Sequence, residues 1–199
     1  MAEINKESGL LEQVMEIRFP NKVTKGGRTL GVAALVAVGN GKGKVGVGYG
    51  KARAVPQAIE KAVKDARASM VDVYMVGDTV GQEVIGRQDA AHVLLKPASP
   101  GTGVKAGATV RAILEVLGVH NVLTKVRGNT NPINVAKATM NALRSIRSPE
   151  EVSRLRGVDV KIHHPQAGVA EEGVQAEGEK PQEAGAPEPT EQAKKAEGQ

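Results

Sequence analysis

Apolar and polar positions alternate most regularly between Leu30 and Tyr49. Leu30, Val32, Ala34, Val36 and Val38 share one face of an extended segment. After a turn, Val45, Val47 and Tyr49 repeat the period of two, with Gly46, Gly48 and Gly50 on the other face. Alternation on both sides of Gly39-Asn-Gly-Lys-Gly-Lys44 predicts a β-hairpin. Glycine inside a strand gives up more backbone freedom than other residues and packs nothing. A strand with one bare face therefore implies close approach, by a packed neighbour or by a ligand. Lys25, Arg28, Lys42, Lys44, Lys51 and Arg53 gather at the two ends of this hairpin, with Arg18 and Lys22 just ahead of it. That cationic fringe favours a polyanion.

The flanking pattern predicts two small units. Leu10, Leu11, Val14 and Ile17 suit either a short helix or a first strand. Gly26 and Gly27 mark a loop able to take positive φ. A helix is expected from about Val55 to Met70, with Pro56 in its first turn and a buried stripe of Val55, Ile59, Ala62, Val63, Ala66 and Met70. Helix on sheet closes a first α+β unit over residues 1–73. The second unit, residues 74–164, opens with short strands at Val73–Val76, Val80–Ile85 and His92–Lys96. A long loop of small residues follows Pro97. It leads to a helix with Val110, Ile113, Leu114 and Leu117 inward and Gly118 as its stop. A strand at Asn121–Arg127, a helix opened by Asn131-Pro132, and a short helix capped at Ser148 complete the unit. Its order again reads α+β.

In residues 165–199 the apolar side chains are mostly Ala with scattered Val, among Glu, Gln, Gly and Pro, a composition that buries too little to offset ordering entropy. This stretch is expected to be a disordered acidic tail. It changes the charge picture. The net charge is +5, but residues 171–199 hold 8 acidic and 3 basic residues, a net −5, so residues 1–170 carry +10. A basic body with an acidic tail points to a nucleic acid or another anionic partner. No apolar run approaches the ~20 residues that span a bilayer, and no secretory signal is visible, so no membrane role is expected. The absence of cysteine removes disulfide, thiolate–zinc and thiol chemistry and fits a cytoplasmic address.

Catalytic patterns do not assemble. Gly41-Lys-Gly-Lys-Val-Gly46 fits GxGxxG, but a strand follows the turn where a dinucleotide site needs a helix N-terminus. The protein-kinase elements are missing. Gly50-Lys51 is followed by Ala52, without the hydroxyl of a Walker loop. His92, His120, His163 and His164 form no helical metal pair, and carboxylates are dispersed. The reading is a non-enzyme with no catalytic residue, metal, cofactor or small-molecule substrate; the alternative is a phosphate- or nucleotide-binding enzyme using the glycine turn.

Clustered Lys and Arg attract a phosphate backbone without reading sequence, and bare glycine amides can add hydrogen bonds. With one Phe, two Tyr and no Trp, stacking platforms are scarce, which favours folded RNA over unstacked strands. The expectation is that the glycine face of the hairpin lies directly against that RNA.

Lys25-Gly-Gly-Arg28, Gly39-Asn-Gly-Lys-Gly-Lys-Val-Gly-Val-Gly-Tyr-Gly-Lys-Ala52, Val55-Pro-Gln-Ala-Ile, Pro97-Ala-Ser-Pro-Gly-Thr-Gly-Val, Leu117-Gly-Val-His-Asn-Val-Leu and Asn131-Pro-Ile-Asn-Val occur in that order. Together, over about residues 11–160, they resemble the bacterial small-subunit ribosomal protein S-five family. The resemblance implies an N-terminal double-stranded-RNA-binding-like domain and a C-terminal domain with a left-handed βαβ crossover. It also implies a place on small-subunit ribosomal RNA beside ribosomal proteins S-four and S-eight, and a part in decoding accuracy. By matched position, Lys22, Lys25, Gly26, Gly27 and Arg28 would form an RNA-facing loop, and Arg18 would stand beside it. Lys42, Lys44, Lys51 and Arg53 would flank the hairpin on RNA, and Lys125, Arg127 and Asn129, beside the matched Asn-Pro-Ile-Asn segment, would touch RNA or a neighbour. Phe19-Pro20 and Leu30-Gly31-Val32 depart from the family pattern.

Overall fold

A computed structural model describes residues 3–5 and 9–158. The expected disordered tail, and His163 and His164, lie outside the described residues. In chain order the elements are β1 (Glu3–Asn5), β2 (Leu10–Arg18), β3 (Asn21–Thr24), β4 (Gly27–Leu30), β5 (Val32–Gly39), β6 (Lys44–Ala52), α1 (Val55–Ala68) and β7 (Val71–Asp72). Then come β8 (Met75–Val76), β9 (Thr79–Val80), β10 (Val84–Gln88), β11 (Ala91–Pro97), β12 (Val104–Lys105), α2 (Ala108–Leu117), β13 (Val122–Gly128), α3 (Pro132–Arg144) and α4 (Pro149–Arg156). The first sheet runs β1-β2-β5-β6-β7, with every pair antiparallel. The second runs β10-β11-β13-β12, antiparallel except for the parallel β12–β13 pair that α2 connects. β3–β4 and β8–β9 are separate two-stranded ribbons.

The ambiguous segment at Leu10 becomes a strand because it pairs with β5 from Leu11↔Gly39 to Arg18↔Ala33, with a bulge between Val14 and Glu16. Leu30 departs from expectation. It ends β4 rather than joining the hairpin strand, and it is 69% exposed. The expected strand from Val80 to Ile85 is also split, with a bend at Gly81 and Gln82 separating β9 from β10.

The larger correction concerns the bare glycine face. The register Ala34↔Gly50, Val36↔Gly48, Val38↔Gly46 puts the glycines on the same sheet face as the valine row. α1 covers that face. A Cβ on Gly50, Gly48 or Gly46 would overlap the carbonyl oxygens of Ala58, Ala62 and Ala66 in turn. Those three alanines are spaced four apart, so they form one stripe along the helix, and all are fully buried. The glycines exist to let a helix backbone settle onto a strand, and no RNA reaches them. Val32, Ala34, Val36 and Val38 complete this cluster. Sequence periodicity overlooked Ala58 and placed Val55 and Ile59 in the stripe; both are only half-buried.

β5 is buried on both faces along its whole length. Its second face, with Leu35 and Ala37, joins Val45, Val73, Val93, Leu95, Ile113, Leu114 and Leu117 in one core that crosses residue 73. α2 ends at Gly118, whose φ of 98° lies in the left-handed region that favours glycine. The Asn131 side chain caps α3 by accepting from the Ile133 amide, and Ser148 caps α4 by accepting from the Glu151 amide.

Candidate nucleic-acid interface

The predicted cations do not form one patch. Along β6, Lys44 and Lys51 are seven residues apart, roughly 23 Å at about 3.3 Å per residue. The structure divides the site accordingly.

At one end stands the β3–β4 ribbon, joined through Gly31, whose amide donates to the Pro20 carbonyl at 3.0 Å. Its register is Asn21↔Leu30, Lys22↔Thr29, Val23↔Arg28, Thr24↔Gly27. All eight strand residues are exposed. Lys22, Lys25 and Arg28 line it, and no carboxylate occurs between Phe19 and Gly31. Lys25 and Gly26 make the turn. Gly27, at φ 133°, permits it, and nothing lies within 4 Å of where a Cβ would sit on either glycine. Open space around positively charged, glycine-hinged backbone suits approach by a phosphate backbone. Phe19 (63%) and Val23 (72%) are exposed beside these cations.

Arg18 and Lys51 both pair with Ala33, so they flank it on the sheet face opposite α1. Arg18 is already bound to Glu16, Nε to Oε1 at 2.8 Å. Lys51 holds its ammonium 5.3 Å from the Tyr49 ring centroid, a cation–π contact. Arg53 is exposed just before α1.

The glycine turn lies at the far end, and its amides are fully engaged. Asn40 Oδ1 accepts from the amides of Lys42 (2.8 Å) and Lys44 (2.9 Å). The Asn40 amide donates to the Lys44 carbonyl, Gly41 to Val116 and Gly43 to Leu117. The last two satisfy carbonyls at the C-terminus of α2, which a helix end leaves without partners. Gly39 fits because a Cβ there would come within 2.6 Å of the Val116 carbonyl oxygen. A phosphate cradle needs amides directed outward; here the amides from Asn40 to Lys44 all bond within the protein, so the nucleotide-binding alternative loses its site. Lys44 is bridged to Asp72 at 3.1 Å, whereas the Lys42 side chain stands exposed.

A second cationic surface lies on the four-stranded sheet. Ala91, Val93 and Leu95 are fully buried on its inner face, which α3 covers at Gly86; a Cβ on Gly86 would overlap the Ala138 carbonyl. The outer face carries the alternate residues. The register aligns Arg87, His92 and Arg127 in one row and Ile85, Leu94 and Lys125 in the next. Lys96 and Leu123 pair in the following row, with Lys105 beside Leu123. Lys125 and Arg127 were foreseen; Arg87, Lys96 and Lys105 were not, although alternation in 84–88 and 91–97 carried the signal. Glu83 offsets part of this charge, 3.7 Å from Lys96. Asn129 lies past the strand end, where its Oδ1 accepts from the Asn131 amide at 2.8 Å, so its main visible work is holding the entrance to α3.

Among the described residues no group of three or more His, Asp or Glu side chains is placed to hold a metal, and no helix is long and apolar enough to cross a membrane.

Comparison with known proteins bears on the chain as a whole. The family model described as ribosomal protein S5, N-terminal domain, matches residues 10–74, and that for the C-terminal domain matches residues 86–156. The small ribosomal subunit protein uS5 of Thermotoga neapolitana is 50% identical over 173 residues, covering 87% of this chain and 96% of that protein. Those of Pseudothermotoga lettingae (56% over 147 residues, 74% and 83%) and Idiomarina loihiensis (52% over 161 residues, 80% and 97%) are similar as well.

Proposed function

The chain belongs to the ribosomal protein S5 family, and from that premise we propose that it is a structural, non-enzymatic constituent of the cytoplasmic small ribosomal subunit that binds ribosomal RNA through two separated cationic surfaces. One is the β3–β4 ribbon with Lys22, Lys25 and Arg28, extended by Arg18, Lys51 and Arg53. The other is the outer sheet face with Lys125 and Arg127. Lys42 adds a contact at the far end of the hairpin, with Lys44 shared between Asp72 and RNA.

The observation that carries this reading is the ribbon: an acid-free, glycine-hinged hairpin with every strand residue exposed. It packs nothing of its own, so its cations serve a partner. Phosphate contacts of this kind fix position and orientation and do not depend on base sequence.

In the same reading, residues 1–73 form a double-stranded-RNA-binding-like domain. Residues 74–164 form a second domain in which the β12–α2–β13 crossover is left-handed. Ribosomal proteins S-four and S-eight are its neighbours, and a rigid link between RNA segments is its contribution to assembly and decoding accuracy. Sedimentation tests the role. Tagged full-length protein expressed in cells is expected to migrate with small subunits through a high-salt gradient. Recovery only at the top of the gradient would overturn it.

A further inference from the structure

Beyond the two cationic surfaces, a cleft of about 310 Å³ opens between the free side of β6 and α3. We infer that this cleft receives a single nucleotide extruded from the bound RNA, its base against Tyr49 and its phosphate between Lys137 and Arg144. The inference rests on the RNA-binding reading above but assigns a site that neither the ribbon nor the open sheet contains.

Three features of the cleft point to that occupant. Its floor is apolar, formed by Leu35, Ile133 and Met140. Tyr49, 36% exposed, lines it and is one of only three Phe, Tyr or Trp residues in the chain. Lys137 and Arg144 line it from α3, both exposed and neither in an ion pair among the described residues. Apolar floor, aromatic wall and two cations from one helix suit a nucleotide, and base–aromatic stacking tolerates any base. A bare phosphate would leave the floor wet, and a purely apolar side chain would leave the cations without a partner.

Two backbone groups of β6 in the cleft are already engaged, which argues against an added peptide strand. The Tyr49 amide donates to Asp65 Oδ2 at 3.0 Å, and the Ser69 hydroxyl donates to the Val47 carbonyl at 3.0 Å. The first of these bonds turns the Asp65 carboxylate towards the strand. At the other end, Asn141 Nδ2 donates to the Arg87 carbonyl at 3.0 Å and lies 3.3 Å from Gln88 Oε1, fixing two amides close to where a base edge would lie.

The test uses full-length protein and two measurements. In the first, adenosine, guanosine, cytidine and uridine 5′-monophosphates are titrated while the methyl signals of Ile133 and Met140 are followed by NMR. Ribose 5-phosphate and inorganic phosphate serve as controls. Saturable shifts with the nucleotides, absent with both controls and absent in Arg144→Ala, are expected. Equal shifts with ribose 5-phosphate would reduce the cleft to an anion site, and no shift at all would remove it; either result overturns the inference. In the second, affinity for deproteinised small-subunit ribosomal RNA is compared between wild type and Tyr49→Ala. A loss of roughly fivefold or more is expected, the lower end for one stack removed. Unchanged affinity would also overturn it. Wild-type protein that failed to bind this RNA would instead overturn the general RNA-binding reading. Arg144 is exposed on a helix surface, so Arg144→Ala is expected to keep the fold, which circular dichroism checks.

Discussion

Replacing Gly48 with alanine isolates the packing that shapes the first half of the protein. The new methyl would overlap the Ala62 carbonyl oxygen and the Ala66 amide nitrogen, and come 3.0 Å from the Ala66 Cα. All three are backbone atoms of α1, so no side-chain rotation relieves the overlap. Ordinary carbon contacts begin near ~3.5 Å, and α1 must therefore retreat by on the order of 1 Å. The retreat loosens its packing on Val36 and Val38 of β5. Overpacking of this kind costs about 1–3 kcal/mol and occasionally more, while alanine's smaller entropy loss returns roughly 0.5–1 kcal/mol. With the clash falling on helix backbone, a net loss of about 2 kcal/mol is expected. For a folded region of this size that lowers Tm by roughly 4–8 °C. Thermal and urea unfolding followed by circular dichroism measure it. Gly26→Ala, with nothing within 4 Å of the added methyl, serves as control and is expected to stay within about 0.5 kcal/mol of wild type. Adding Ala62→Gly to Gly48→Ala is not expected to rescue it, because the obstruction is main chain. Wild-type stability of Gly48→Ala, or full rescue by Ala62→Gly, would refute the reasoning.

Three further outcomes follow from the same geometry. Gly118→Ala puts a side chain at φ 98° and against the Gly41 carbonyl; a loss of about 1–3 kcal/mol in urea unfolding is expected. Asn40→Ala leaves the Lys42 and Lys44 amides without their acceptor; a loss of about 1–2 kcal/mol, with faster hydrogen exchange at those two amides, is expected. Replacing Lys125 and Arg127 with Gln is expected to leave Tm within about 1 °C of wild type. The slope of log affinity for ribosomal RNA against log salt should fall by about 1 for each phosphate that no longer meets a cation.

Legibility in the sequence depended on whether a pattern was local. α2, α3 and α4 announced themselves through Gly118, Asn131-Pro132 and Ser148, because helix ends are chosen by the residues standing there. The hairpin was equally legible through its period of two. The purpose of Gly46, Gly48 and Gly50 was not, since a bare strand face looks the same whether a helix or a nucleic acid approaches it. Only the register with β5 and the alanine spacing of α1 decide, and Ala58, four residues before Ala62 and eight before Ala66, was the overlooked clue. The turn at Asn40–Lys44 misled for a related reason: its Gly41 and Gly43 amides find their acceptors at Val116 and Leu117, far along the chain. Charges were visible one by one, but their division between a projecting ribbon, a turn bonded to α2 and an open sheet face depends on strand pairing. Family resemblance placed the chain as a whole, and it could not say which side of a sheet carried the burden.

The most direct test of the account is the affinity of full-length Lys22→Glu/Lys25→Glu/Arg28→Glu protein for deproteinised small-subunit ribosomal RNA at fixed salt. Because the ribbon supports no core, unfolding of the triple variant is expected to match wild type, while affinity falls by on the order of tenfold or more. Wild-type affinity in a protein that melts normally would contradict the assignment of the ribbon as an RNA-binding surface.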